Sequence, residues 1–112
     1  MANVRMSRID AEIQKHVATI INNKLEHPDI KGAFITVVKA STTADLSIST
    51  IYITVYGSDN KKVLDALVAS KNFIRRELGN EMRLRVVPDL RFMLDTSYEY
   101  GKHMDSLFDS IK

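Results

Sequence analysis

The alternation of apolar and polar positions divides the chain into helical and strand-like segments. Residues 4–25 place isoleucine, valine and leucine at three- and four-residue steps, which predicts a long amphipathic helix. The proline within residues 27–29 disfavours helical geometry at the residue before it, so a turn is predicted there. Residues 33–39 and 46–56 are rich in β-branched and aromatic side chains, and the short polar connector between them predicts an antiparallel hairpin.

A second helical segment follows the hairpin, and it is interrupted. Apolar stripes at helical spacing span residues 63–68 and 73–78, whereas the residues between the stripes are weak helix formers. Asparagine also tolerates left-handed backbone geometry better than most residues. We therefore predict a helix–kink–helix. The predicted kink comprises Ser70, Lys71 and Asn72. Gly79 fits either a helix cap or a glycine tolerated inside the helix.

The last predicted strand covers residues 83–87, in which arginine alternates with leucine and valine. A strand would place Arg83 and Arg85 on one face, and Pro88 predicts a bulge or an exposed edge. Residues 96–112 are predicted to form a short C-terminal helix or a tail. The element order αββααβ indicates an α+β fold, a two-layer domain over residues 1–95 with helices on one face of a small mixed sheet.

Charge is concentrated in one third of the chain. The net charge is only +2, but residues 61–92 carry eight basic and four acidic residues, while residues 1–60 carry six of each. A local basic excess is typical of a nucleic-acid interface, although an ordinary solvated helix surface shows the same pattern, with Arg75 or Arg76 paired to Glu77 or Glu81. The candidate RNA contacts are Arg5, Arg8, Lys71, Asn72, Arg75, Arg76, Arg83 and Arg85.

Catalysis, metal binding and cofactor binding have no support in the sequence. There is no cysteine, and His16, His27 and His103 match no metal-ligand spacing. No glycine-rich phosphate loop or nucleophile elbow occurs, and the acidic residues form no acid–base pair. We therefore expect no enzyme activity, no cofactor and no metal. The absence of a membrane-length apolar run and of a signal peptide leads us to expect a cytoplasmic protein without membrane contact.

Short motifs along the chain occur in a specific order and spacing. They are Arg8-Ile9, His27-Pro28-Asp29, Thr36-Val37, Asp45-Leu46-Ser47, Leu78-Gly79, Arg83-Leu84-Arg85, Pro88-x-Leu90-x-Phe92, Asp95-x-Ser97 and Gly101-x-x-Met104. Together they resemble the ribosome-binding factor A family over essentially the whole chain. The resemblance implies a KH-like RNA-binding domain of the second topological type.

The resemblance also implies a function. Proteins of this family bind the free small ribosomal subunit and assist late maturation and 5′-end processing of its 16S rRNA, without catalysis, and matter most for growth in the cold. The expected partners are therefore the small subunit and its rRNA, bound by a monomer. The Ala-x-Gly kink of the family reads Ser70-Lys71-Asn72 here, where asparagine keeps left-handed tolerance and Lys71 adds a cation for phosphate.

A second function class remains open from the sequence. The face of the second strand that carries Tyr52 and Tyr56, together with the C-terminal segment, would suit a KH-like protein-interaction module that does not act through RNA. A partner retained after nuclease treatment would favour that alternative. A small acyl-phosphate hydrolase would need glycine and arginine in a phosphate-binding loop, and the sequence contains no such loop.

Overall fold

Helices lie on one face of a three-stranded sheet in this computed structural model, which describes residues 4–95 and the side chains from residue 6 onward. The elements are α1 (Val4–Thr19), α2 (Pro28–Lys31), β1 (Phe34–Thr42), β2 (Ile48–Tyr56), α3 (Asn60–Ala69), α4 (Lys71–Met82) and β3 (Asp89–Leu94). This order confirms the predicted α+β fold, αββααβ, with α2 as one additional helical turn. The predicted C-terminal helix or tail, residues 96–112, lies outside the described residues.

The first helix ends differently from the prediction. α1 continues into a π-helical turn, Ile20–Lys24, so the long helix is confirmed but its last turn is wider than an α-helical one. The predicted turn at the proline is present as one turn of helix, in which the His27 carbonyl accepts from the Ile30 and Lys31 N–H groups at 3.0 Å. Pro28 begins α2, where its missing N–H is not needed, and the His27 ring accepts a hydrogen bond from the Asp29 N–H at 3.2 Å. The histidine thereby caps the short helix.

The sheet is mixed, with β2 in the centre. β1 is antiparallel to β2, which confirms the hairpin, and β3 is parallel to β2. The register of β1 shifts between Val37 and Lys39, so Val38 forms a β-bulge. The hydrogen bonds between the strands cannot satisfy all the backbone polar groups of the bulge. The Gln14 side chain on α1 donates to the carbonyls of Val37 and Val38 at 3.1 and 3.0 Å. These bonds fix α1 against the irregular part of β1.

The third strand begins later than predicted. β3 starts at Asp89, and residues 83–88 form a turn and a loop. The predicted strand over residues 83–87 was therefore wrong, and so was the placement of Arg83 and Arg85 on one strand face. Arg83 has left-handed geometry (φ 54°), which ends α4 and turns the chain away from any extended path. Alternation of polar and apolar residues in so short a segment is compatible with a strand, but it does not provide a neighbouring strand with which the segment can pair.

The core lies between the helices and the inner face of the sheet. Ile51 and Ile53 are fully buried, as the alternation along β2 predicts, while Tyr52 between them points to the other face. Full burial of such a side chain stabilises the fold by about 1.5–3 kcal/mol. Other fully buried core side chains are Ile13, Val17, Ile20, Val63, Leu67, Ile74, Leu78 and Leu90. Within residues 4–95, the helices are too short or too polar to cross a membrane.

The turn of the hairpin is closed by hydrogen bonds to one carboxylate. Asp45 Oδ1 accepts from the Thr43 hydroxyl at 2.7 Å, from the Ser47 hydroxyl at 2.7 Å and from the Ser47 N–H at 3.1 Å. These bonds hold Leu46 in left-handed geometry, with φ at 61°. Hydrogen bonds to the charged form, from the Ser47 hydroxyl first and then the Thr43 hydroxyl, lower the pKa of Asp45 to about 2.

This turn should therefore respond to acid. The pKa of Asp45 is lower in the folded chain than its ordinary value of 3.8, so the turn is stabilised above pH 3.8 and loses that stabilisation as the pH falls towards about 2. We expect an NMR titration of the Asp45 carboxyl to give a midpoint near 2. Ser47→Ala should move the midpoint back towards 3.8, whereas Ser41→Ala, a matched change outside the turn, should leave it in place.

Candidate nucleic-acid interface

The junction between α3 and α4 is a one-residue break. Ser70 (φ −95°, ψ 4°) donates its N–H to the carbonyls of Ala66 and Leu67, and its own carbonyl accepts from the Ile74 N–H at 3.1 Å. Ser70 is thus both the C-cap of α3 and the N-cap of α4. The predicted helix–kink–helix is present, but the kink is narrower than the predicted residues 70–72, because Asn72 is an ordinary α-helical residue without left-handed geometry.

Lys71 is the first residue of α4, and its ammonium group is held by an acid. Nζ lies 3.1 Å from Asp89 Oδ1 at the start of β3, and both side chains are about one-third exposed (32% and 41%). The hydrogen bond from Lys71 lowers the pKa of Asp89. A carboxylate therefore occupies the position at which a phosphate could approach Lys71.

Arg75 binds the backbone of the loop before β3. Its Nε donates to the Pro88 carbonyl at 3.1 Å, and a terminal nitrogen donates to the Val87 carbonyl at 2.9 Å. The fork geometry of the guanidinium suits two adjacent acceptors. Arg75 is therefore a structural residue that fastens the loop to α4, in addition to any contribution of its charge to RNA binding.

Arg76 is the remaining cation of α4, and its side chain is open to solvent. Its guanidinium lies 5.7 Å from the centre of the Phe73 ring. Among residues 6–95, Arg76 has no carboxylate within ion-pair distance, and Asn72 is exposed on the preceding turn. Arg76 and Asn72 thus form an exposed polar pair beside the helix break, with Lys71 next to them.

The acidic residues suggested as partners for Arg75 or Arg76 have other partners. Glu77 and Glu81 accept from Lys24 Nζ at 3.3 and 3.4 Å, and the His16 ring lies 3.0 Å from Glu81. The hydrogen bond to His16 is the main cause that lowers the pKa of Glu81, followed by the contact with Lys24. These contacts join the long first helix to α4. Glu77 and Glu81 therefore do not pair with Arg75 or Arg76.

In these pairs His16, near the end of α1, meets Glu81 in the last turn of α4, and Lys24 in the π-helical turn meets both Glu77 and Glu81. Arg8 is exposed on α1 two turns before His16, and Arg83 and Arg85 are exposed just beyond the end of α4. α4 is about 18 Å long at about 1.5 Å per residue. The structure therefore separates the candidate residues in the first half of α4, which are Lys71, Asn72, Arg75 and Arg76, from Arg83 and Arg85 beyond its end. The side chain of Arg5 lies outside the described residues.

The end of α4 carries its own strain. Arg83 occupies the left-handed position just after the helix, which is usually a glycine. The N–H of Leu84 donates to the Gly79 carbonyl at 3.0 Å, as in a Schellman motif. Gly79 is thus a helical glycine and not the cap. An added Cβ at Gly79 would lie 2.6 Å from Val87 Cγ2 in the loop before β3. The glycine allows the loop to approach the helix closely.

Replacing Arg83 with glycine should separate stability from RNA binding. Glycine adopts left-handed geometry freely, so Arg83→Gly should raise the free energy of unfolding by up to about 1 kcal/mol, less the extra entropy of glycine in the unfolded chain. Loss of the charge should weaken RNA binding if Arg83 contacts phosphate. Urea unfolding and a binding assay on the same preparation measure the two effects. Arg85→Gly, in the same loop, serves as the matched control and should not stabilise the fold.

Sequence reasoning did not identify the partners that decide what each cation does. Asp89 follows Lys71 by 18 positions, and the carbonyls bound by Arg75 lie 12 and 13 positions after it. Backbone carbonyls carry no residue-type signal, so no pattern in the sequence could have assigned Arg75 to the loop. Among residues 6–95, no group of three or more histidine or acidic side chains is arranged to hold a metal ion.

Comparison with known sequences gives one consistent result. A family model described as ribosome-binding factor A matches residues 5–108. The chain is 38% identical to ribosome-binding factor A of Macrococcus caseolyticus over 107 residues, which cover 94% of this chain and 92% of the relative. It is 40% identical to ribosome-binding factor A of Staphylococcus carnosus, with 99% of this chain and 96% of the relative covered.

Solved structures share the fold. The crystal structure of ribosome-binding factor A from Thermus thermophilus superimposes with a TM-score of 0.72 at 22% identity, over 80% of this chain and 94% of that one. A homology model of Thermus thermophilus ribosome-binding factor A, fitted into the cryo-EM map of a complex of 30S and ribosome-binding factor A, gives a TM-score of 0.64 at 25% identity, over 75% of this chain and 88% of that one. With sequence relatives matched over nearly their full length, the chain belongs to the ribosome-binding factor A family.

Proposed function

We propose that this protein binds the free small ribosomal subunit and assists late maturation and 5′-end processing of its 16S rRNA, with its largest effect on growth in the cold. It acts as a cytoplasmic monomer and without catalysis. Family membership and the Thermus thermophilus relative fitted to a 30S complex support this proposal. The observation that carries it for this chain is the exposed cation Arg76, beside Asn72 and the helix break.

The helix break suits RNA by its geometry as well as its charge. The first turn of α4 has N–H groups without partners inside the helix, and the helix dipole favours an anion there. Arg76 lies just past that turn, and Lys71 is adjacent although paired with Asp89. A phosphate bound at the start of α4 would contact Lys71 only if it displaced the Asp89 carboxylate, whereas Arg76, five residues later on another side of the helix, is exposed without such an exchange. A second group of cations, Arg83 and Arg85 beyond the end of α4, would contact the RNA backbone at a second point.

Sedimentation with purified free small subunits and with intact ribosomes tests the proposal. We expect the protein to sediment with the free subunits. Lys71→Ala/Arg76→Ala should weaken this binding and reduce its log–log salt slope by about one, at about one unit for each lost phosphate contact, because Lys71 is held by Asp89 and Arg76 is the side chain open to phosphate. Lys61→Ala/Lys62→Ala removes the same charge from the exposed start of α3 and is the matched control. Equal loss in both variants would show that net charge alone matters, and binding to neither particle would refute the proposed function.

Depletion of the protein tests the finer part of the proposal. Precursor 16S rRNA with an unprocessed 5′ end should accumulate, more strongly at low temperature, and wild-type protein should restore processing. Retention of a protein partner after nuclease treatment, with normal rRNA processing, would favour the protein-interaction module instead.

Removing the carboxylate that pairs with Lys71 should strengthen binding. In Asp89→Asn the ammonium of Lys71 becomes available to phosphate, so the affinity for the small subunit should rise and the salt slope should steepen by about one. Binding titrations at several salt concentrations measure both quantities. Asp65→Asn makes the same charge change on the exposed surface of α3, where no ion pair with residues 6–95 is present, and should have a smaller effect. An equal effect of the two substitutions would contradict a specific role for the Lys71–Asp89 pair.

A further inference from the structure

The face of the sheet turned away from the helices, here called the outer face, carries aromatic side chains among threonine and serine residues. Alternate residues of the strands project from it, and three of its large side chains are strongly exposed: Phe34 (73%), Tyr56 (67%) and Met93 (51%). None of the helices within residues 4–95 lies on this face, since their core residues meet the inner side chains of the strands. Exposed aromatic groups of this size in one place indicate a binding surface.

The aromatic groups are arranged with cations beside them. The Phe34 and Tyr56 rings are paired across β1 and β2, with centroids 6.4 Å apart and planes tilted by 48°. The ammonium of Lys39 lies 4.7 Å above the centre of the Tyr52 ring. Arg91 on β3 is exposed and belongs to the same face, because its register partner is Thr50, two residues before Tyr52.

The outer face has a net positive charge, from Lys39 and Arg91. Among the strand residues the only acid is Asp89, at the beginning of the edge strand β3, and its carboxylate is held by Lys71. A second copy of the chain would bring two faces of the same net positive charge together, which is unfavourable. A polyanion with flat apolar groups matches both features. Single-stranded RNA is such a ligand, since its bases stack on aromatic side chains and its phosphates pair with lysine and arginine.

We propose that the outer face of the sheet binds single-stranded RNA. Bases stack on the rings of Phe34 and Tyr52, and Lys39 and Arg91 contact the phosphates. Tyr52 and Tyr56 are four residues apart on β2, about 13 Å at about 3.3 Å per residue, so the two aromatic positions can hold different nucleotides of one strand. Duplex RNA presents no unstacked base and would gain only the phosphate contacts.

This site is distinct from the helix break of the proposed function. It would give the protein a second contact, with an unpaired segment of rRNA, on the opposite side of the sheet from α4. The inference rests on the proposed function in that both take RNA as the partner. The two can fail separately, because the helix break is tested with whole subunits and the outer face with a short oligonucleotide.

Fluorescence anisotropy with the full chain tests the inference. The probe is a fluorescein-labelled, unstructured RNA of about twelve nucleotides made of adenosine and cytidine, within the site sizes usual for such surfaces. Phe34→Leu/Tyr52→Leu keeps apolar side chains but removes the stacking rings. Phe34→Tyr/Tyr52→Phe keeps both rings and is the matched control. Circular dichroism and urea unfolding establish that both variants are folded.

The leucine variant should bind the single strand at least about tenfold more weakly than wild type, and the variant that keeps the rings should bind like wild type. Affinity for a blunt RNA duplex of the same length should be low and unchanged. Equal single-strand affinity in the two variants would overturn the inference, and so would a change of oligomeric state in the leucine variant alone, which would make the face a protein contact. If the leucine variant binds oligonucleotide normally while wild type still sediments with small subunits, the inference fails and the proposed function stands.

Discussion

Replacing Arg75 with alanine should lower the free energy of unfolding by about 2–4 kcal/mol, because two hydrogen bonds from a charged group to half-buried backbone carbonyls are lost. The carbonyls of Val87 and Pro88 would be left without that donor in the loop before β3. Urea unfolding followed by circular dichroism measures the effect. The substitution should therefore reduce RNA binding mainly through the amount of folded protein and the position of the loop.

Two further variants separate this structural role from charge. Arg75→Lys keeps the charge but has no planar fork, so it should recover only a small part of the stability. Arg76→Ala removes a neighbouring exposed arginine and should change the free energy of unfolding by less than about 0.5 kcal/mol while weakening RNA binding. Wild-type stability in Arg75→Ala would show that the loop does not depend on these hydrogen bonds.

Replacing Gly79 with alanine should also destabilise the fold, although alanine is the better helix former. The added Cβ would lie 2.6 Å from Val87 Cγ2, and overpacking of this kind costs about 1–3 kcal/mol. The higher helix propensity of alanine offsets about 1 kcal/mol of this cost, so the net loss in the free energy of unfolding should be up to about 2 kcal/mol. Thermal and urea unfolding measure it.

A double-mutant cycle makes the cause visible. In a Val87→Ala background the methyl group that clashes is gone, so Gly79→Ala should become neutral or stabilising. The sign of the effect should thus depend on one side chain in the loop. Destabilisation of the same size in both backgrounds would assign the effect to the helix itself and not to the approach of the loop.

The regular parts of the fold could be predicted from the sequence because they follow from periodicity. Ile51 and Ile53 alternate with polar or aromatic neighbours and are fully buried, and the long first helix follows its apolar stripe. Residues 83–87 alternate equally well and yet form no strand, because Arg83 reverses the chain in left-handed geometry. Which segment pairs with β2 is decided by tertiary packing, and local alternation does not encode it.

The candidate site could be predicted in outline only. The basic region and the helix break were evident from residue types, but the roles of its members depend on distant partners. Lys71 is paired with Asp89 and Arg75 with loop carbonyls, so two of the four predicted contacts at the start of α4 already have structural partners. Arg76 and Asn72 are exposed, and they remain the predicted contacts best placed to meet RNA.

The parallel pairing of β2 with β3 has a consequence for how the chain folds. Ile48 pairs with Asp89, 41 positions later, whereas the β1–β2 hairpin pairs residues such as Thr42 and Ser49, which are seven apart. Closing the longer loop has a larger entropic cost, so the hairpin and the first helix can form a nucleus before the last strand is added. β3 reaches β2 through the crossover formed by α3 and α4, so β3 is added after that crossover has formed. The hydrogen bonds from Arg75 to the loop before β3 would then be among the last to form.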